Sequence, residues 1–149
     1  MKKVVKSGFA AVVLCGLFGC NTYDVRALKY DPAMKEVVVV NNPEVRVSDF
    51  EDVLADAFGQ RGVAVRREES GYKAAAGEYV VSYTALQSWD FTTYLSDAKV
   101  WVNKGNLQQG CGHYHHVGEN MSLSFWKWQS TETKMMPLYD ALLENYQRK

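Results

Sequence analysis

Residues 78–102 constrain the fold most, because they alternate with a two-residue period on both sides of an aromatic centre. Tyr79, Val81, Tyr83 and Ala85 share one face of the first half, with Ser82, Thr84 and Ser88 among the residues opposite. In the second half Ala98, Val100 and Val102 share a face, while Asp97, Lys99 and Trp101 point the other way. A period of two belongs to a strand, so the segment predicts two long antiparallel strands with one face in a core and the other toward water. The remainder of the chain has to cover the apolar face.

Val37, Val38, Val39 and Val40 form a continuous β-branched run closed by Asn41, Asn42 and Pro43. That pattern suits a strand covered on both faces, as an interior parallel strand is. Ser48 and Glu51 have the spacing of a capping box, and Phe50, Val53, Leu54, Ala57 and Phe58 then recur as one helical stripe. Arg61 in the last turn and Gly62 beyond it end this helix. Residues 63–66 supply a short second strand, completing a βαβ unit. A turn at Lys104, Gly105 and Asn106 sends a third long strand back over residues 107–116, and residues 121–128 read as either a short edge strand, the preferred reading, or an ordered loop. Met135, Leu138, Tyr139, Leu142, Leu143 and Tyr146 form a second stripe, which requires Pro137 to lie in or near the first turn. The order β-α-β-β-β-β-α predicts an α+β fold of two layers: a mixed, mostly antiparallel sheet with two helices on one face.

The first residues belong to targeting rather than to the fold. Lys2, Lys3 and Lys6 precede an apolar run from Phe9 to Phe18, too short to span a bilayer comfortably, and residues 1–19 have the layout of a secretory signal peptide. Leu17, Phe18, Gly19 and Cys20 resemble the lipobox of bacterial lipoprotein precursors, which implies cleavage before Cys20 and its acylation (palmitate-class lipid). Asn21, not an aspartate, resembles the signal for sorting to the outer membrane, facing the periplasm. Residues 20–32 then read as a lipidated tether of at most ~40 Å, and residues 33–149 as a single globular domain.

Without Lys2, Lys3 and Lys6 the 17 basic residues become 14 against 17 acidic ones, a net charge of −3, so a basic nucleic-acid footprint is absent. Cys15 leaves with the signal and Cys20 is acylated, which leaves Cys111 without a disulfide partner. The domain is expected to stand on packing alone.

Residues 83–98, together with residues 42–50 and Lys134, Met135, Met136, Pro137 and Leu138, resemble a family of short proteobacterial lipoproteins of unknown function. The topology is also similar to that of small α/β envelope lipoprotein domains, including the N-terminal domain of the translocation protein TolB. The resemblance implies a binding or accessory role in the envelope and supplies no catalytic residue.

Two constellations carry possible chemistry. Cys111, His113 and His115 alternate on one strand and project from one face, a thiolate and imidazole set suited to Zn²⁺ or copper, with His116 opposite. Same-face neighbours on one strand stand ~6–7 Å apart, so one ion would need converging side chains. Trp89, Phe91 and Tyr94 lie at the tip between the two long strands, and Phe125, Trp126 and Trp128 follow the last turn. Exposed, Trp89, Phe91, Trp126 and Trp128 would form a contact surface for a protein partner. There is no Gly-x-Ser-x-Gly elbow, and neither a Ser/His/Asp triad nor a carboxylate pair is selected by spacing. The sequence thus predicts a lipid-anchored envelope lipoprotein, non-catalytic and without a cofactor, acting as a binding or accessory module. The alternative is a periplasmic metal-binding protein using Cys111, His113 and His115.

Overall fold

The computed structural model describes residues 21–118 and 125–148. Six strands, β1 (Asn21–Arg26), β2 (Glu36–Val40), β3 (Ala64–Glu68), β4 (Tyr79–Asp90), β5 (Thr92–Lys104) and β6 (Leu107–His116), form one sheet in the order β1-β6-β5-β4-β2-β3. β2 runs parallel to β3 and β4, and the other neighbours are antiparallel. Helices α1 (Phe50–Gly59) and α2 (Thr131–Leu142) cover one face, so the expected α+β arrangement is the one observed.

The long hairpin forms as its alternation demands. Tyr79, Val81, Tyr83 and Ala85 on β4, and Ala98, Val100 and Val102 on β5, are all buried beneath the helices. Both helical stripes meet them: Phe50, Leu54, Ala57 and Phe58 from α1, and Met135, Leu138, Tyr139 and Leu142 from α2. The continuous β2 run is also explained. Val37 and Val39 enter the core, while the opposite side carries Val38, only 2% exposed, beside its strand partner Arg66. Arg66 is held there by Glu36, Glu68, Glu78 and the Tyr72 hydroxyl, so the 69–78 loop is tied down over this side.

Several expectations are corrected. Residues 21–32 are no tether: β1 pairs with β6 along its whole length, Tyr23 opposite Tyr114 and Val25 opposite Gly112. Leu28 is buried, and its amide donates to the Leu142 carbonyl at 2.8 Å. The physical reason is that β6 would otherwise end the sheet with a long row of unpaired backbone groups. The capping box does not form either. Asp49 takes the cap position without a side-chain capping bond, its carboxylate accepting instead from the Thr131 hydroxyl (2.7 Å), and Glu51 accepts hydrogen bonds from the Tyr83 hydroxyl (2.7 Å) and the Asn41 side-chain amide (3.2 Å). Residues 125–128 form a 3-10 helix, not a strand, and the rest of that expected strand, with residues 1–20, lies outside the described residues. Pro137 sits beyond the first turn of α2, because Ser130 caps the helix earlier than expected by accepting from the Thr133 amide at 3.1 Å.

Close approach of α2 to the sheet depends on a bare strand. A Cβ added at Gly112 of β6 would meet Leu138 Cδ2 at 2.6 Å and Cγ at 2.8 Å, and one at Gly110 would meet Leu28 Cδ2 at 2.9 Å. Overpacking of this kind costs about 1–3 kcal/mol. Gly112→Ala is therefore expected to lower the unfolding free energy by an amount in that range, read as a lower urea midpoint at unchanged slope, whereas Gly71→Ala, where a Cβ meets nothing within 4 Å, loses only what its positive φ demands.

Candidate functional site

Asp90 and Thr92 face each other across the tip of the β4–β5 hairpin, which turns at Phe91 with φ 58°, a backbone region that side chains rarely occupy. Trp89 (73% exposed) and Phe91 (68%) project from this tip. The 3-10 helix Phe125–Trp128 is fastened beside it: the Lys127 ammonium pairs with the Asp90 carboxylate, and the Trp128 indole N–H donates to the Asp90 carbonyl at 3.4 Å. Phe125 is 78% exposed, with Trp126 and Trp128 more than a third exposed. The four aromatic residues singled out in the sequence therefore gather at one end of the sheet.

Beneath them lies a cationic layer that periodicity did not reveal. Lys127 and Lys134 are fully or almost fully buried, and their ammonium groups stand 5.2 and 5.4 Å from the centre of the Tyr94 ring. Lys134 donates to the carbonyls of Leu95 (3.1 Å) and Lys127. Burial pulls the Lys134 pKa down to about 8. His116 packs edge-on to Tyr94 at 5.6 Å, and burial lowers its pKa, assisted by the charges of Lys134 and Lys127. Aromatic contact and backbone carbonyls replace water around these cations.

The same end receives the start of β1. Asn21 Oδ1 lies 2.9 Å from His116 Nδ1 and accepts from the Tyr114 hydroxyl at 3.3 Å. Residue 21 is thus fixed at the same end of the sheet, one pair beyond Asp97–His115 and several residues short of the hairpin tip.

On the sheet face away from the helices, the expected ligand trio is corrected. Cys111, His113 and His115 do project from one face, but the two histidines converge on Asp97 of β5 and not on Cys111. Asp97 Oδ2 lies 2.7 Å from His113 Nε2 and 3.1 Å from His115 Nδ1. Cys111 stands further along β6, opposite Trp101 and Arg26. The strand spacing keeps the thiol away, while an aspartate from the neighbouring strand fills the space between the two imidazoles.

A cleft of about 470 Å³ opens at the opposite end of the sheet between Tyr30, Asp31, Lys35, Arg61, Tyr146 and Arg148. There Asp31 takes hydrogen bonds from Tyr79, the Ala33 amide and Lys104, which hold its carboxyl down to about 2. No helix of the described residues is long and apolar enough to cross a membrane.

No protein-family model matches the chain, and no curated protein matches it. Solved structures do. The chain is similar to a PelC dodecamer from Paraburkholderia phytofirmans in two crystal structures. In one, a single-residue variant, identity is 16% over 80% of this chain and 98% of that chain; in the other it is 13% over 86% and 99%. The TM-score is 0.53 in both, a likeness of fold. A minor lipoprotein from Acinetobacter baumannii matches at 11% identity and a TM-score of 0.30, over 72% of this chain and 83% of that one.

The buried lysine has a readable consequence. Its pKa is about 8 folded against roughly 10.4 in an unfolded chain, so between these values the unfolded state binds more protons. Stability then rises with pH across that window. The urea midpoint is expected to climb from pH 7.5 to 9.5, before the tyrosines titrate, and this climb should be lost in Lys134→Met.

Proposed function

We propose that this chain is a lipid-anchored module of the bacterial envelope, without chemistry of its own, whose aromatic end is its binding surface and rests against the membrane that holds Cys20. The observation that carries the reading is the position of Asn21. It directly follows the lipobox-like cysteine and is hydrogen-bonded at the end of the sheet that bears Trp89 and Phe91. An acyl chain on Cys20 would thus enter the bilayer within one residue of a fixed point on the domain, with no slack to turn it away. Indole and phenyl rings favour the membrane–water boundary, where an apolar body and a polar edge are both accommodated. The expected outer-membrane location rests on Asn21 in the sorting position.

A second copy of this chain is the protein partner we place first, because the fold neighbour PelC is a dodecamer. The sheet leaves β1 and β3 as its edges. Native mass spectrometry of the detergent-solubilised protein is expected to give a multimer, and a monomer at micromolar concentration would remove this partner.

The membrane reading is tested by tryptophan fluorescence of the acylated protein in vesicles containing bromolipid. Quenching is expected, and it should fall in Trp89→Phe and Trp126→Phe. Emission insensitive to bromolipid would turn the aromatic end away from the bilayer. Cys20→Ser is expected to release the protein from the membrane fraction, and unchanged mass and partitioning of that variant would remove the anchor.

A further inference from the structure

The sheet face opposite the helices holds a group that the membrane-anchored reading does not use. Asp97 and His115 are direct partners across β5 and β6, and His113 sits one pleat along β6 on the same face. Their donor atoms, Asp97 Oδ2, His113 Nε2 and His115 Nδ1, lie within 4.8 Å of one another. Asp97 is aimed by a bulge: the β4–β5 register slips between Leu86 and Gln87, so that Leu86 faces Asp97 while Gln87 faces Leu95. Bulges re-aim side chains and are held in place by the surrounding ladder.

We propose that Asp97, His113 and His115 form a binding site for a divalent transition-metal ion of the Zn²⁺ class. Donors bonded at 2.0–2.2 Å to one such ion in a tetrahedral shell stand roughly 3.3–3.6 Å apart. The carboxylate oxygen is already 2.7 and 3.1 Å from the two ring nitrogens, so an ion requires these contacts to lengthen by roughly 0.2–0.9 Å. Two imidazoles and one carboxylate, without a thiolate, suit a borderline ion over a soft one or a hard one such as Mg²⁺. The side chains of His113 and His115 are 39% and 53% exposed, which gives the ion an entry path and leaves a coordination position toward solvent. A three-ligand site with an open position accepts water or a donor from another molecule. Around it the charges offset: Lys99 of β5 and Asp24 of β1 are the two cross-strand partners of His113. Asp24 places a second carboxylate beside the site, on the edge strand β1.

The test is calorimetric titration of Zn²⁺ into the full acylated chain in detergent, purified without a polyhistidine tag and stripped with chelator. One ion per chain is expected. Asp97→Asn and His113→Ala should each weaken binding at least tenfold, and Cys111→Ser should leave it unchanged. These positions face water, so the metal-free variants are expected to keep the parent melting temperature. A readout without substitution comes from the imidazole resonances of the unaltered protein, which has three histidines. Zn²⁺ should move those of His113 and His115 and leave the buried His116 in place. Absence of saturable binding, binding that survives loss of Asp97 or is abolished with Cys111, or equal shifts at all three histidines, would overturn the assignment.

Discussion

The structure depends on one constraint: among the described residues, a six-stranded sheet is covered by helices on only one of its faces. Two apolar helical stripes, from α1 and α2, are enough to bury that face. They are able to approach because β6 is bare where α2 crosses, with Gly112 lying directly under Leu138. Burial of each large side chain contributes roughly 1.5–3 kcal/mol, and the domain needs no disulfide to complete it. The opposite face is left to polar and mixed residues, apart from the side of β2 and β3 where Arg66 gathers its ion pairs. One-sided cover therefore leaves three surfaces with distinct characters: an aromatic end, a cleft at the other end, and a polar strip that includes Asp97, His113 and His115.

Closure of the sheet by β1 links fold to placement. Antiparallel pairing with β6 sets Asn21 opposite His116 and Arg26 opposite Cys111, so the start of the strand is fixed at the end of the sheet from which the hairpin tip overhangs. A flexible linker would have allowed any face to meet a membrane. A paired strand allows one orientation, because its register is set by Tyr23 and Val25 entering the helix-covered side and Thr22, Asp24 and Arg26 staying outside.

The aromatic end is kept rigid by groups that would be costly in isolation. Lys127 and Lys134 lie in the interior, where an unpaired ammonium loses its hydration without compensation. Asp90, the Leu95 and Lys127 carbonyls and the Tyr94 ring replace that hydration and bind the 3-10 helix to the hairpin tip. Exposed indoles on a rigid base lose less side-chain entropy on contact than the same rings on a mobile loop, which is the physical advantage of mounting them here.

What the sequence determined by itself was local: the two long strands, the valine strand, both helical stripes, the turn at Gly105 and the extent of β6 all follow from periods of 2 and 3.6 within single segments. The alternation of Thr22, Tyr23, Asp24, Val25 and Arg26 was also present, and its strand character was obscured only by its nearness to the lipobox. Tertiary structure alone decided what meets across long separations. Asn21 contacts a residue 95 positions away, and Asp97, not the nearby Cys111, joins the two histidines from 16 and 18 positions distant. Glu51 left its expected capping role for a tyrosine 32 positions on. Periodicity reports which way a side chain points along its own element. Which neighbour it finds there is set by strand order and register, and these are fixed only when the whole sheet has to bury one face beneath two helices.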